Sequence, residues 1–430
     1  MSCNMNYLKM SKTELENDLK LRREQYGNFC AKNLKLDMSR GKPCKEQLDL
    51  SLEMLDTVNS ASDLKTENGF DTRNYALVDG IPEIKRLYAE ILNVKESEII
   101  AGGASSLNMM YDTVQRGMQF GFGGFAPWNK AEKIKFLCPA PGYDRHFSLC
   151  EIFGIEMIAV GIGADGPDMD EVERLCESDG SVKGIWCVPR FSNPTGAVYS
   201  DETVRRLAKM KAAGDFRIFW DNAYAVHAFK NEAKELLDIL TECKAAGNPD
   251  RAFIFTSTSK VTFAGAGAAF FASSEKNIAE AKAVLSMQTI GPDKINQLRH
   301  ARFLKNKANT LEHMKKHAGI LRPKFDAVSD VLDKGLSGSG LAEWTKPTGG
   351  YFISVNAFPG TAKRVVALAK QAGVVFTPAG ATYPYGRDPL DKNIRFAPSL
   401  PPAEELVTAT EIFVVCVKIA AIERLLERFA

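Results

Sequence analysis

Lys260 closes a strand-like run, Phe253–Lys260, and a tract of small residues, 264–269, follows it. A lysine at the end of a buried strand is poorly placed as a solvated charge. It is well placed as a nucleophile, because desolvation disfavours the ammonium form. Hydroxyls at Ser257, Thr258 and Ser259 crowd the turn just before it. Other residues able to do chemistry lie in short segments elsewhere. Gly102-Gly103-Ala104-Ser105-Ser106 stands between a strand pattern and a helix pattern; glycines and the free N–H groups of a helix start suit a phosphate there. Pro141-Gly142-Tyr143 offers an aromatic ring, either to stack on a planar ligand or simply to pack. Ser192-Asn193-Pro194-Thr195-Gly196 presents an amide in what is otherwise a plain turn sequence. Trp220-Asp221-Asn222-Ala223-Tyr224 puts a carboxylate at a strand end with a phenol close behind; the bland role for such an aspartate is a helix cap. Arg395, between Ile394 and Phe396, suits a bidentate hold on a carboxylate or a structural ion pair.

These residues need elements to position them. From about residue 95 the chain alternates apolar strand-like runs (98–101, 134–138, 155–160, 184–188, 217–220, 252–255) with helical patterns such as Ser106–Asp112 and Ser200–Ala213. Such alternation argues for an α/β domain with a mainly parallel sheet, and ligands bind such sheets at the carboxyl ends of the strands. Nearly every residue named above follows a strand. Residues 274–335 read as mainly helical. Short strands and helices come next: 350–355, 362–372, 374–376, 393–396 and a last helix over 402–429. A large domain over 56–325 is therefore expected, with a smaller α+β domain made of 1–55 and 326–430; an N-terminal helix around Thr13–Asn33 would join the latter.

Bulk properties narrow the class. The chain has 430 residues, enough for a large core, and a net charge of +2, too small to suggest a nucleic-acid or polybasic membrane surface. No run of roughly 18 apolar residues occurs, so no membrane span is expected. The N-terminus lacks the basic flank and apolar core of a signal peptide. The 9 cysteines are scattered without a CxxC pair, and the 5 histidines include no HExxH. A metal site is not indicated, and reduced thiols in a cytoplasmic protein fit best.

A phosphate cradle, a stacking ring, an amide, a buried carboxylate with a phenol, a lysine and a carboxylate-binding arginine are together the needs of pyridoxal 5'-phosphate chemistry. In order and spacing, Ser192–Gly196, Asp221–Tyr224, Ser257–Lys260 and Arg395 resemble those of the fold-type I, class I/II pyridoxal-phosphate aminotransferases, and the resemblance covers the whole chain. More narrowly, Leu36–Pro43 with Glu46–Ser51, Ser259–Gly267 and Ile290–His300 are similar to a subgroup of aspartate aminotransferases and MocR-like aminotransferases. MocR regulators carry a winged helix-turn-helix ahead of this region, and here the enzyme-like region begins almost at once. The resemblance implies a large domain with a mainly parallel seven-stranded sheet. It implies Lys260 as the Schiff-base lysine and proton carrier, Asp221 as partner of the pyridine nitrogen, and Asn193 and Tyr224 as ligands of the ring's 3′ oxygen. Tyr143 would stack on the ring. Gly103, Ala104, Ser105, Ser106, Ser257 and Ser259 would hold the phosphate. Tyr75 would reach the phosphate of the neighbouring subunit in a homodimer with shared active sites, and Arg395 would grip the substrate α-carboxylate.

One position departs from the family pattern. An arginine that pairs with the phosphate is expected eight residues after the lysine, but position 268 is alanine and 261–272 contains no arginine. Lys294 is a candidate replacement. The implied activity is a ping-pong transfer of an amino group, with aspartate the best donor and 2-oxoglutarate the acceptor. A second carboxylate needs a second cation, for which Arg40, Lys42, Lys294 and Arg299 are candidates. The rival readings are another pyridoxal-phosphate reaction such as a lyase, a transaminase of different substrate range, and an effector-sensing protein without activity.

Overall fold

The computed structural model describes residues 6–230 and 235–429; Cys3 lies outside them. Its main sheet has strands β1 (Ile99–Ala101), β2 (Lys135–Ala140), β3 (Glu156–Gly163), β4 (Gly166–Pro167), β5 (Val182–Cys187), β6 (Arg217–Asp221), β7 (Ala252–Ser257) and β8 (Ala269–Ala272), in the order β1-β8-β7-β6-β5-β2-β3-β4. The neighbours β7, β6, β5, β2 and β3 pair in parallel, whereas β8 runs antiparallel between β1 and β7. Seven of the strands form the expected mainly parallel sheet. The eighth, β4, is a two-residue extension folded back on β3 by the turn before Gly166.

Strands β6 and β7 are buried along their whole length, which is why they read as unbroken apolar runs. Their side chains alternate between the two faces. Phe136, Trp186, Phe219, Phe253, Phe255 and Phe271 build an aromatic core on one side. Leu137, Ile185, Ile218, Trp220, Ile254 and Phe270 build an aliphatic-rich core on the other. Strand β8 escapes a pattern search because small residues precede it and both its faces are covered. The stretch read as one helical region over 274–335 is three helices, Glu275–Gln288, Lys294–Leu304 and Lys307–Leu336. Asp293 and Asn306 accept from the first-turn N–H groups of the second and third and so divide the run.

A separate core unites both ends of the chain. It takes in Leu15, Leu19, Leu36 and Met38 together with Phe325, Val328, Leu332 and the apolar faces of Ala362–Gln371 and Ala403–Leu426. Strands β9 (Ala342–Trp344), β10 (Ile353–Ala357) and β11 (Asn393–Phe396) form an antiparallel sheet beside it. The 30-residue helix Lys307–Leu336 spans the two bodies, with Met314 in the large core and Phe325 onward in the small one.

A buried polar chain crosses this junction. The Gln47 amide donates to the Tyr351 hydroxyl at 2.9 Å and lies 3.1 Å from His317 Nδ1; His317 Nε2 is 3.1 Å from His313 Nε2. Burial holds the pKa of both His227 and His317 down to about 3, against 6.5 in the open chain. Between those values the unfolded chain binds more protons than the native one. Stability from these neutral histidines is therefore complete above pH 6.5 and is lost as pH falls below it. The melting temperature should drop steeply on acidification below pH 6.5. His317→Gln, though costing about 1–3 kcal/mol at neutral pH through its altered hydrogen bonds, should show a shallower acid slope. Parallel curves of melting temperature against pH would contradict this.

Candidate active site

The chemistry-bearing segments converge where β1, β2, β5, β6 and β7 end. Beyond β7 the chain turns sharply, and the turn is tied from several sides. Thr258 N–H donates to Ala268 O at 2.8 Å, and Ala268 N–H donates back to the Thr258 hydroxyl at 2.8 Å. His300 donates through Nδ1 to Asn296 O at 2.8 Å, leaving Nε2 to accept from the Thr258 and Thr262 hydroxyls at 3.1 and 2.9 Å. His227 Nε2 donates to Lys260 O at 3.2 Å and His313 Nε2 to Val261 O at 2.8 Å. The turn that carries the lysine is thus held by three elements, and His227 alone of these rings bonds the backbone of Lys260. Its ammonium group lies 5.0 Å from the Tyr224 ring centre and 5.7 Å from that of Tyr351. Burial lowers its pKa, and the charge of Asp221 partly offsets this.

Asp221, the last residue of β6, is buried. Its Oδ2 accepts from His146 Nε2 at 3.0 Å, while its Oδ1 is buried without a partner among the described residues. A buried carboxylate oxygen left unpaired is costly unless a donor is meant to meet it. His146 itself is clamped, stacked on Trp186 with ring centres 4.3 Å apart and planes 8° apart. One helical turn before it stands Tyr143, edge-on to His146 at 5.0 Å; burial pushes its phenol up to about 12. Tyr224 is also buried, which keeps its phenol protonated well above the usual range.

Asn193 and Arg395 meet although one follows β5 and the other belongs to β11. Arg395 Nη1 donates to Asn193 Oδ1 at 3.3 Å and to Asp144 Oδ1 at 2.8 Å, and its Nε donates to the Thr377 hydroxyl at 3.3 Å. The first contact turns the Asn193 amide so that its NH2 remains as a donor. The guanidinium carbon lies 5.0 Å from the centre of the Phe352 ring. Of the two readings of Arg395, the ion pair within the chain is the one observed, and the side chain is buried.

The loop 102–104 is stitched to the strand after Lys260: Gly102 N–H donates to Ala269 O and Ala269 N–H to Gly103 O, both at 2.8 Å. Ser105 is the N-cap of helix Ser106–Phe120, makes no side-chain capping bond, and no acidic residue follows in the first turn. That helix start therefore keeps its donors and positive dipole end for an anion. Ser257 and Ser259 face each other, hydroxyl to hydroxyl, at 3.1 Å. Gly267 is the close approach: a Cβ there would stand 3.1 Å from Ala104 O, 3.2 Å from the Thr258 hydroxyl and 3.3 Å from the Ser259 hydroxyl. Position 268, where the family pattern places an arginine, does not line the cradle. Ala268 buries its methyl in the core with Val261 and Phe270, because alternation along the chain turns it to the other side. Gly267 is the position directed at the cradle.

The remaining candidates separate. Arg40 is exposed on the segment 39–42, which is tied to the Arg395 region: the Thr377 hydroxyl donates to Ser39 O at 3.0 Å, and Gly41 abuts Phe352. Lys42 is exposed and Arg299 half-buried. Lys294 is buried, donates to Pro292 O at 3.3 Å, and has its pKa lowered by burial. Its helix also carries Asn296, which donates to Ala266 O and Gly267 O at 3.2 and 3.0 Å. Lys294 therefore belongs to the cradle side of the molecule and Arg40 to the Arg395 side. Tyr75 is 73% exposed. Sequence reasoning overlooked Asp144 and His146. The signal was there: one of few histidines in the chain stands one helical turn after Tyr143.

The residues fit pyridoxal 5'-phosphate. The unpaired Asp221 Oδ1 would meet a pyridinium N–H, and the uncapped helix start with the serines and Gly267 would accept the phosphate. Comparison with known proteins agrees. A model of the family described as aspartate amino-transferase matches residues 10–429. An aspartate aminotransferase of Corynebacterium glutamicum is 48% identical over 403 residues, 93% of each chain. The crystal structure of an aspartate transaminase from the same organism superposes with a TM-score of 0.95 at 45% identity, covering 98% of this chain and 100% of that one. An α-aminoadipate aminotransferase of Thermus thermophilus, solved with a phosphopyridoxyl-leucine adduct, shares the fold at TM-score 0.73 and 18% identity, covering 97% of each chain. The chain belongs to the aspartate amino-transferase family, the pyridoxal-phosphate aminotransferases of fold type I.

Proposed function

We propose that the protein transfers the amino group of aspartate to a 2-oxo acid, 2-oxoglutarate being the acceptor, in two half-reactions at one site. The observation that carries this reading is the arrangement around Arg395: a buried guanidinium bound to Asn193, with the cationic Arg40 segment beside it. Such a pair suits a small molecule with two carboxylates. The likeness to aspartate aminotransferases supports the same substrate.

The cofactor, when bound, supplies an electron sink for the bond broken at the substrate α-carbon. The chain's residues do the rest. Asp221, oriented by His146, would keep the pyridine nitrogen protonated. Asn193 and Tyr224 would donate to the 3′ oxygen, and Tyr143 would cover the ring face. Gly103, Ala104, Ser105, Ser106, Ser257 and Ser259 would hold the phosphate, with Lys294 near it in place of the arginine absent from 261–272. Lys260 would anchor the cofactor and then carry the proton between substrate carbon and cofactor, a role that a depressed amine pKa favours. Arg395 would take the α-carboxylate and Arg40 the distal one.

The same reading makes the enzyme a homodimer. Tyr75, Met287 and Ile290 are exposed together, 73%, 85% and 61%, and Ala76 N–H is bonded to Ile290 O at 3.0 Å. A second copy would cover this patch and receive Tyr75 at its phosphate. The reducing cytoplasm is its compartment, in keeping with eight described cysteines that are all unpaired.

Rapid mixing of the loaded enzyme with single amino acids should convert the cofactor to its pyridoxamine form fastest with aspartate and glutamate. Arg40→Ala should lower kcat/KM for aspartate by about tenfold or more, the loss of one charge-assisted contact, and leave alanine unaffected. Slow conversion with both dicarboxylates would refute the substrate assignment. Sedimentation should give a dimer, and Tyr75→Ala should weaken cofactor retention without dissociating it; a fully active monomer would contradict the shared site.

A further inference from the structure

The guanidinium assigned to the substrate already carries a carboxylate of this chain. Arg395 Nη1 donates to Asp144 Oδ1 at 2.8 Å, the shorter of its two side-chain oxygen contacts there. The arginine side chain is 8% exposed and the aspartate 33%, so the pair joins a buried cation to a partly solvent-exposed carboxylate. A buried arginine needs a partner, and Asp144 supplies the charge. A substrate carboxylate held by both terminal nitrogens needs Nη1 as well as Nη2. Two carboxylates on one nitrogen repel each other, so the two must compete.

Asp144 is built to yield. It is the first residue of helix Asp144–Ile152, where the dipole and free N–H groups of the helix start stabilise a carboxylate even when Arg395 is lost. It is also fixed in sequence between Tyr143 and His146, so its helix turn touches the stacking ring, the Asp221 clamp and the arginine together.

We infer that Asp144 is a built-in competitor for the substrate carboxylate: it holds Arg395 in place before substrate arrives and sets substrate affinity by having to be displaced. This rests on the proposed role of Arg395. Asp144 is a positioning residue and takes no part in the chemical step.

The test uses the cofactor-loaded enzyme with succinate, an unreactive dicarboxylate, as equilibrium probe, alongside KM and kcat for aspartate. The apparent dissociation constant is the intrinsic one divided by the fraction of Arg395 that is free, so Asp144→Asn should bind succinate roughly five- to tenfold more tightly. KM for aspartate should fall in step, with a smaller change in kcat. Asp144→Glu, which restores the charge, should return both values toward wild type, and thermal melting of each variant checks that it is folded. Unchanged or weaker succinate binding in Asp144→Asn would overturn the inference, provided Arg395→Lys weakens binding as the proposed function requires. Should Arg395→Lys bind succinate as wild type does, the carboxylate role of Arg395 itself falls, and the inference with it.

Discussion

The structure depends on keeping one half-buried lysine desolvated, with no contacting counter-ion among the described residues. A buried ammonium is unstable unless paired, and pairing would lock it in the charged, unreactive state. The nearby carboxylate, Asp221, is held by His146, and His146 is fixed in turn against Trp186. Asp221 thus acts on Lys260 through space, partly offsetting the burial that lowers its pKa. The energetic cost of this arrangement is spread over the turn that carries the lysine, tied down by His227, His300 and His313. Those rings come from the segment after β6 and from two helices, so the position of Lys260 is set by the large body as a whole.

The second dependence is on the meeting of the two bodies. Arg395 belongs to the small antiparallel sheet, but its hydrogen bonds reach Asn193 and Asp144 at the edge of the large one. Close behind the lysine, the Gln47–His317–His313 chain crosses the same junction. Any shift of one body against the other therefore moves Arg395 relative to Lys260 and strains buried polar contacts. The substrate grip proposed for Arg395 and the domain position are coupled through identifiable bonds.

Much of this could be read in the sequence, for physical reasons. Parallel strands covered on both faces leave unbroken apolar runs, and residues at their carboxyl ends stand out because polar groups follow directly. Lys260, Asp221, Asn193 and Tyr224 were all visible that way, and the structure brings them together. Contacts made between distant segments were not visible. Nothing near Asp144 in the chain says that it meets Arg395, and His146 signals only by its spacing from Tyr143. One expectation came from family spacing and not from the local pattern. The alanine at 268 marks a missing arginine only if its side chain faces the cradle, and it faces the core; Gly267 is the residue that does. Strand β8 stayed hidden because glycines and alanines carry no periodic signal.

On the proposed function, Lys260 alone anchors the cofactor. Borohydride reduction of the loaded protein, followed by digestion and mass spectrometry, tests it directly. A phosphopyridoxyl group should be found on the peptide carrying Lys260, and Lys260→Ala should retain no reducible adduct. A label on another lysine, or an adduct that survives the substitution, would contradict it.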